Sequence, residues 1–351
     1  MLSKYFEALD SQIAIPTILV VGCGRVGESI VKALVDNAPH GTSSIYVTDS
    51  DKERARKLSE YRLSSITPIK WRYAHDTPDE VDIIIVAVDR ASEEKIIDRL
   101  ALAKKPFLTM SDDASIFDAY EEYEEEFLLT KAFGIIGAGL VPGIGEVLSK
   151  FYAQRFDSVL DITVERMGFV SSSSLDSLKN ARKESPLCVR DGIISDSRRD
   201  AGSSLTWFPN PINLRECQSV STGLVSLLKE FPEVHNLTVR FAEPRLPTFS
   251  ERVKNIALKI PLTTTKACVR VEMHGLLDGQ MRTEIYAIYG DALTIISQTC
   301  IMAAVGLFNH QEIYSQGSPF VSLSQVIDAS KLLNCLHDSG VSLLRFDGVD
   351  N

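Results

Sequence analysis

The sequence has few features that would mark a secreted or metal-binding protein. Its six cysteines include no CxxC pair, which argues against a disulfide framework or a structural zinc site and favours a reducing compartment. Its six histidines show no metal-ligand spacing, so we expect no bound metal. No internal repeat or low-complexity tract stands out, which argues against a solenoid or a disordered tail.

A long apolar run is also missing. Residues 1–12 lack the apolar core of a signal peptide. The longest apolar stretch, Thr294 to Phe308, is too short to span a bilayer and contains polar residues, so it predicts a buried helix. We therefore expect a cytoplasmic protein that does not enter a membrane.

Positive charge is in deficit. Acidic residues outnumber basic ones by 47 to 37, for a net charge of −10, which argues against a nucleic-acid-binding surface. The hydrophobic fraction of 44% and the charged fraction of 24% are those of a soluble globular protein. A small-molecule partner is compatible with this balance, because one cleft can be basic on an acidic protein.

The first part of the chain alternates apolar runs with helical patterns, as repeated βα units do. Thr17–Val21 is a continuous apolar run that suits a parallel strand buried on both faces. Further strands are predicted at Ser44–Thr48, Ile69–Tyr73, Asp82–Val88, Pro106–Met110 and Gly134–Gly137, with helices at Asp51–Tyr61 and Ser92–Ala103. The acidic run Tyr120–Glu126 predicts a solvated helix face. The fold class is α/β with a doubly wound parallel Rossmann sheet.

After about Lys150 the pattern changes to strands with a period of two. Asp278-Gly279 lies between two alternating runs and predicts a hairpin. A helix is expected at Ser219–Lys229, and Val170–Pro211 is either a surface loop or a lid. We therefore predict a Rossmann domain over residues 1–148 and a second α+β domain with a mostly antiparallel sheet, for substrate binding and dimerisation, over 149–309. The C-terminal helices, about 310–351, are expected to pack back on the first domain.

A glycine-rich loop follows the first strand directly and opens a helix. Its first glycine permits a tight turn, its second lets the backbone approach a pyrophosphate, and its third allows close packing of helix on strand. The free amides and the helix dipole would then hold the phosphates. The predicted loop residues are Gly22, Cys23, Gly24, Arg25, Val26 and Gly27. Cys23 is interpreted as a small residue that lets phosphate pass rather than as a reactive thiol.

An acidic residue ends the next strand, where a carboxylate binds the adenosine ribose in this architecture. Asp49 lies 22 residues beyond Gly27 and favours NAD, because it would repel a 2′-phosphate. NADP stays open, since Ser50 and two basic residues follow closely. The ends of later strands would complete the cofactor site with Val88, Asp89 and Ser111.

With these motifs, the chain resembles the saccharopine dehydrogenase-like family, which includes saccharopine reductase, carboxynorspermidine dehydrogenase and lysine 6-dehydrogenase. The resemblance is carried by Gly22–Gly27, by the later Gly139-Leu-Val-Pro-Gly143 and by the layout of the second half. It implies that Val141, Pro142 and Gly143 line the substrate cleft beside the nicotinamide. Saccharopine reductases carry an aspartate where this chain has Val141; this departure is closer to lysine 6-dehydrogenase-like members and argues against saccharopine itself as the substrate.

The resemblance implies an NAD(P)-dependent dehydrogenase of amino-acid metabolism that acts on a C–N bond through an imine. Such chemistry needs a proton acceptor, for which Asp112 and Glu165 are the candidates; each also has an interpretation as a structural carboxylate. Arg166 could bind a substrate carboxylate or form a surface salt bridge, and Trp207 could cover the cleft or only pack. Relatives dimerise through the second sheet, so a homodimer is expected.

Two alternatives stay open at this point. One is a sugar or polyol oxidoreductase with the same two-domain plan, in which a Lys-Pro pair follows the fifth strand; here Lys105-Pro106 precedes it. The other is a non-catalytic nucleotide sensor, because Val20–Gly27 is also similar to the start of the regulatory domains of potassium transport systems.

Overall fold

The computed structural model describes residues 16–37, 44–61, 66–168, 171–181, 185–196, 203–242, 266–309 and 318–347. Along the chain, the strands are β1 (Ile18–Val21), β2 (Ile45–Thr48), β3 (Ile66–Pro68), β4 (Ile83–Val86), β5 (Phe107–Thr109), β6 (Gly134–Ile135), β7 (Ser158–Met167), β8 (Leu187–Arg190), β9 (Ile193–Asp196), β10 (Ser203–Phe208), β11 (Asn213–Ser219), β12 (Asn236–Ala242), β13 (Lys266–Leu277), β14 (Gln280–Asp291) and β15 (Ser342–Asp347).

The helices are α1 (Arg25–Asn37), α2 (Lys52–Ser59), α3 (Arg90–Glu94), α4 (Ile97–Ala103), α5 (Ser115–Glu121), α6 (Glu124–Thr130), α7 (Ile144–Ala153), α8 (Ser172–Ala181), α9 (Leu224–Glu230), α10 (Ala292–Asn309), α11 (Leu323–Val326) and α12 (Ala329–Asp338). The chain divides into two compact units. The first contains Met1–Val147 and Thr294–Gly340, and the second contains Leu148–Leu293 and Val341–Asn351.

The first unit is built on a parallel sheet with the strand order β3-β2-β1-β4-β5-β6. Val20 of β1 lies opposite Val47 on one side and Ile85 on the other, and all three are fully buried. Apolar residues on both faces of the central strands are what a parallel sheet covered by helices requires. The predicted doubly wound Rossmann fold is confirmed.

Aromatic rings close the β5–β6 end of this sheet. Phe107, Tyr120 and Phe127 are fully buried, and the ring of Phe320 meets those of Tyr120 and Phe127 edge-on at 5.7 and 5.2 Å between centroids. The segment around Phe320 also pairs with β6, since Gly134 donates a backbone hydrogen bond to Pro319 at 2.8 Å. The acidic run was predicted as a solvated helix face. Its first residue, Tyr120, departs from that prediction, because its ring is buried in the core.

The predicted buried helix near the C-terminus is confirmed as α10. By length and composition it could cross a membrane, but 72% of its most apolar window is buried inside the protein. From Thr294 onward it belongs to the first unit together with α11 and α12, so the second unit ends earlier in the chain than the predicted 149–309. A helix that is apolar on all sides can be predicted to be buried, but its sequence does not indicate in which of the two units it is buried.

The second unit is built on a mixed, mostly antiparallel sheet with the path β10-β11-β12-β7-β13-β14-β15. Only the β7–β12 pair is parallel among the paired strands that the structure describes here. The predicted hairpin is confirmed: β13 and β14 pair over their whole length, and Asp278 and Gly279 turn at φ values of 51° and 73°. Positive φ at both central residues is the geometry that Asp-Gly favours.

Three expectations for the second half were wrong in detail. The stretch Val170–Pro211, predicted as irregular, contains α8 and three strands in its described residues, β8, β9 and β10. The helix predicted at Ser219–Lys229 begins only at Leu224, because the residues up to Ser219 extend β11. Finally, residues 310–351 were expected to return to the first domain as helices; α11 and α12 do belong to the first unit, but β15 pairs with β14 of the second sheet.

Candidate functional site

Two of the loop glycines are required by sterics. Gly22 turns at φ 99°, and a Cβ there would clash with the backbone of Ala87 and come within 2.8 Å of the Val88 side chain. A Cβ on Gly27 would clash with the carbonyl oxygen of Gly22. The loop therefore packs against the ends of β1 and β4 at a distance that only hydrogen side chains allow. This explains why the sequence places glycine at both ends of the loop.

Gly24, in contrast, faces open space. A Cβ added there meets nothing within 4 Å among the described residues. Its carbonyl accepts the first hydrogen bond of α1, from Glu28 at 2.8 Å, so the residue marks the start of the helix. Free amides at the start of a long helix, beside a position without a side chain, form an anion-binding cradle. The loop fits a pyrophosphate.

Asp49 is already held in place at the end of β2. Its Oδ2 accepts a hydrogen bond from the backbone N–H of Cys23 at 2.6 Å, and its Oδ1 accepts one from Asp51 at 2.7 Å. The carboxylate thus joins the glycine loop to the start of α2. A carboxylate fixed beside the cradle fits the predicted contact with a ribose. Ser50, the next residue, is exposed, and its hydroxyl lies 3.4 Å from Oδ1.

The Cys23 thiol is buried and points away from this chemistry. Its Sγ lies 3.7 Å from the carbonyl oxygen of Thr48. Burial, and then the negative charge of Asp49, raise the pKa of Cys23 to about 12. The thiol is therefore neutral at physiological pH, which agrees with its interpretation as a small loop residue. Arg25 and Val26 follow it as partly buried residues of the first turn of α1.

The ends of β4 and β5 bring further predicted residues to the carboxyl edge of the sheet. Asp89 caps α3 by accepting hydrogen bonds from the Ser92 N–H at 3.1 Å and its hydroxyl at 2.8 Å. Ser111 is buried and Asp112 is partly buried in the loop after β5. Parallel strands end at one edge, where nucleotide and substrate bind in this architecture.

The predicted substrate turn lies after β6. Gly143 adopts φ 118°, and a Cβ there would clash with the backbone of Gly139. Ile144 at the start of α7 donates a 3.0 Å hydrogen bond to the Gly139 carbonyl, which closes the turn. Val141, Pro142 and Gly143 are all buried. Their proposed role in lining a substrate site stays a prediction.

Glu165 sits in the middle of the second sheet, on β7. It is 2% exposed and lies opposite Arg240 of β12 and Arg270 of β13. It forms ion pairs with both arginines, with a distance of 3.4 Å to Arg240, and accepts a 2.6 Å hydrogen bond from the Thr206 hydroxyl. Both carboxylate oxygens are thus engaged, which is the arrangement expected of a structural carboxylate.

The two other predicted residues of the second unit are engaged in local packing. Arg166 is 2% exposed; its guanidinium lies 4.9 Å from the centre of the Phe241 ring, and its Nε donates to the Gly168 carbonyl at 3.4 Å. This is a buried cation–π contact, and the surface salt bridge considered for Arg166 was wrong. Trp207 is 42% exposed on β10, and its ring meets Phe346 edge-on at 4.8 Å.

One group at the edge of the first sheet was not predicted. Glu93 of α3 is fully buried, and its Oε1 accepts a hydrogen bond from the Tyr120 hydroxyl at 3.2 Å. A signal was present in the sequence, because in the single helix predicted at Ser92–Ala103 Glu93 would share a face with Ile97 and Leu100, four and seven positions later; the structure has two helices here, α3 and α4. The charged neighbours of Glu93 instead favoured an exposed helix.

Comparisons with known proteins agree with this geometry. Residues 17–111 match the family described as NADP oxidoreductase coenzyme F420-dependent. The saccharopine dehydrogenase (L-Glu forming) of Saccharomyces cerevisiae superimposes with a TM-score of 0.67 at 12% identity, over 95% of this chain and 100% of that one. A homospermidine synthase of Legionella pneumophila in complex with NAD gives 0.62 at 12% identity, over 95% and 91%.

The chain has the saccharopine dehydrogenase fold. The predicted resemblance is confirmed at the level of architecture, and so is the NAD(P)-binding type of the first domain. The fold is that of two-domain NAD(P)-dependent oxidoreductases. No curated protein sequence matches the chain.

Proposed function

We propose that the protein is an NAD(P)-dependent oxidoreductase that acts on the C–N bond of an amino-acid-like or polyamine-like compound. The cofactor is NAD, with NADP as the second possibility. The observation that carries the proposal is the open cradle at Gly24 beside the fixed carboxylate of Asp49. A loop without a dinucleotide would have no steric reason to leave this position bare while both flanking glycines are packed.

The reaction balances with one hydride and one proton. The C–H bond next to the amine breaks, and its electron pair leaves with the hydrogen; the amine nitrogen loses one proton, and a C=N bond forms. A nicotinamide bound at the Gly22–Gly27 loop would supply the hydride acceptor in this direction and the hydride donor in reverse. The chain must hold the carbon in line, exclude water and accept the proton.

Of the two candidate acceptors, the structure favours Asp112. It lies in the loop after β5 next to Ser111, at the edge where the cofactor is expected, and it is only partly buried. Glu165 would have to leave two arginines and Thr206 to take a proton. We assign substrate contacts to the turn at Val141–Gly143; the substrate roles predicted for Arg166 and Trp207 stay predictions.

The names of the two superimposed proteins described above agree with the proposed substrate class. One forms L-Glu from saccharopine and the other makes homospermidine, an amino acid and a polyamine respectively. The predicted homodimer and cytoplasmic location are part of the same proposal.

A calorimetric titration with NAD⁺ and NADP⁺ tests the cofactor site, with Gly24→Val as the decisive variant. The valine would occupy the open space without a clash in the fold, so we expect Kd for NAD⁺ to rise about a hundredfold with an unchanged melting temperature. Ala33→Val introduces the same side chain between two and three turns further along α1 and should bind like the wild type. Equal affinity of Gly24→Val and wild type would place the cofactor elsewhere.

The substrate class is tested with the same protein. It is incubated with cofactor and a panel of amino acids, polyamines and polyols, and the absorbance of the reduced nicotinamide is followed. Turnover of an amine supports the proposal. Turnover of a polyol alone would replace it with the C–OH alternative, and tight cofactor binding without turnover would favour the sensor.

A further inference from the structure

Glu93 is a carboxyl group enclosed by the first unit at the cofactor edge of its sheet. Its exposure is zero, although it lies only four residues after Asp89, which is exposed. The backbone N–H of Glu93 donates to the Asp89 carbonyl at 2.9 Å, so both residues belong to the same first turn of α3. That turn follows directly from the end of β4, where Val88 packs beside Gly22.

The carboxyl group has few polar partners. Oε1 accepts the hydrogen bond from Tyr120, which is itself fully buried, while Oε2 has no hydrogen-bond partner of regular geometry in the described part of the chain. The hydroxyl of Thr109, at the end of β5, is the other polar side chain beside it. An ionised carboxylate with so few donors would be strongly disfavoured by burial.

Among the described residues, the charged groups that act on Glu93 are two carboxylates, Asp112 and Asp113, in the loop between β5 and α5. The phenol of Tyr120, which comes from α5, is neutral. Burial first, and then these two aspartates, raise the pKa of Glu93 to about 8, while the hydroxyls of Thr109 and Tyr120 act in the opposite direction. Glu93 is therefore mostly a neutral acid at pH 7.

Thr109 connects this acid to the turn beside the predicted nicotinamide position. Its hydroxyl accepts a 3.2 Å hydrogen bond from Gly137 N–H, and its carbonyl accepts one from Ala138 N–H at 2.6 Å. A Cβ on Gly137 would clash with the Pro142 ring and lie 3.2 Å from the Ser111 carbonyl. Glu93 therefore reaches Gly137 through one residue, Thr109, and Gly137 in turn packs against Pro142 of the Gly139–Gly143 turn.

We propose that Glu93 is a positioning residue whose neutral form holds the ends of β4 and β5 and the Gly137 turn in the arrangement that binds the nicotinamide dinucleotide, so that its ionisation weakens cofactor binding. The inference rests on the proposed function, since it concerns the same cofactor. A purely structural Glu93 would affect folding but would not give cofactor affinity an alkaline limit.

The test measures Kd for NAD⁺ by calorimetry between pH 6.5 and 9.5, with the full chain. If only the neutral form binds, about 3% of the wild type is competent at pH 9.5, so Kd rises by up to about thirtyfold relative to neutral pH. Glu93→Gln keeps a neutral side chain of the same shape, and its Kd should change by less than about twofold over the range. Glu94→Gln, at the exposed neighbouring position, should behave like the wild type.

Infrared difference spectra of the wild type at pH 7 and 9.5 keep the test decisive if Glu93→Gln does not fold. The band of a protonated carboxylic acid should disappear at the same pH at which Kd rises. A Kd that does not change with pH, or a rise that persists in Glu93→Gln, would overturn the positioning role and leave the proposed function standing. Absence of NAD⁺ and NADP⁺ binding at pH 7 would overturn both.

Discussion

Two buried glutamates, Glu93 in the first unit and Glu165 in the second, are neutralised in different ways. Glu93 in the first unit has a tyrosine hydroxyl as hydrogen-bond donor and a pKa raised to about 8, so a proton neutralises it. Glu165 in the second unit is paired with Arg240 and Arg270. The comparison shows that burial alone does not define the state of a carboxyl group; the neighbouring element does.

The origin of the difference lies in how each residue meets its neighbours. Glu165 is on a central strand, so register places one residue of each adjacent strand directly opposite it, and both are arginines. Glu93 projects from a short helix toward the end of a parallel sheet, where Thr109 and Tyr120 supply hydroxyls instead of charge. A sheet core can therefore hold a charged pair, whereas the helix–sheet contact holds a neutral acid.

The largest expected effect on stability comes from removing one of the two arginines that neutralise Glu165. Arg270→Met removes the more buried of its two cationic partners and should cost about 3 kcal/mol of unfolding free energy at pH 8, because it leaves a buried charge with weaker compensation. Urea denaturation measures this. Glu272→Gln, which removes the half-exposed partner on the other side of Arg270, should cost no more than about 1 kcal/mol.

A second, intermediate effect concerns the stability of the first unit. The pKa of Glu93 is raised from 4.5 to about 8, so the folded state binds a proton that the unfolded state releases between these values. The stabilisation is complete below about pH 4.5 and is lost as the pH rises through about 8. Glu93→Gln has no such dependence, so relative to the wild type its unfolding free energy should increase by on the order of 2 kcal/mol between pH 5.5 and 7.

Urea denaturation across this range checks the expectation, with Glu94→Gln as the exposed control. Parallel stability curves for wild type and Glu93→Gln would mean that Glu93 ionises at an ordinary pH despite its burial. That result would remove the contrast with Glu165 on which the comparison rests.

Much of the first unit could be predicted from sequence because its signals are local. The apolar run at Ile18–Val21, the glycines at Gly22 and Gly27 and the acidic end of β2 lie within one βαβ segment. Their consequences, a buried strand, a tight turn and a fixed carboxylate, follow from the backbone alone. Asp278-Gly279 was predictable for the same reason, since two residues determine the turn.

The parts that could not be predicted depend on partners distant in sequence. β15, for example, joins β14 across about fifty residues of chain. The arginines opposite Glu165 come from strands 75 and 105 positions away, so its sequence neighbourhood gave no sign that it was paired. Glu93 was missed for a local reason. Its neighbours in sequence on α3 are charged, so the segment does not look like one that buries a residue.

The smallest expected effect on stability comes from removing the single hydrogen bond between Tyr120 and Glu93. Tyr120→Phe keeps the ring that packs on Phe107 but removes the hydroxyl that donates to Glu93, and we expect a loss of about 1 kcal/mol at pH 6. Because that hydroxyl stabilises the ionised form, the pKa of Glu93 should rise further and the alkaline break in stability should move to higher pH. Tyr123→Phe, on the partly buried residue between α5 and α6, is the matched control. If stability falls at the same pH in Tyr120→Phe as in the wild type, the Tyr120 hydroxyl does not influence the pKa of Glu93. The hydroxyl of Thr109 would then be the one that does.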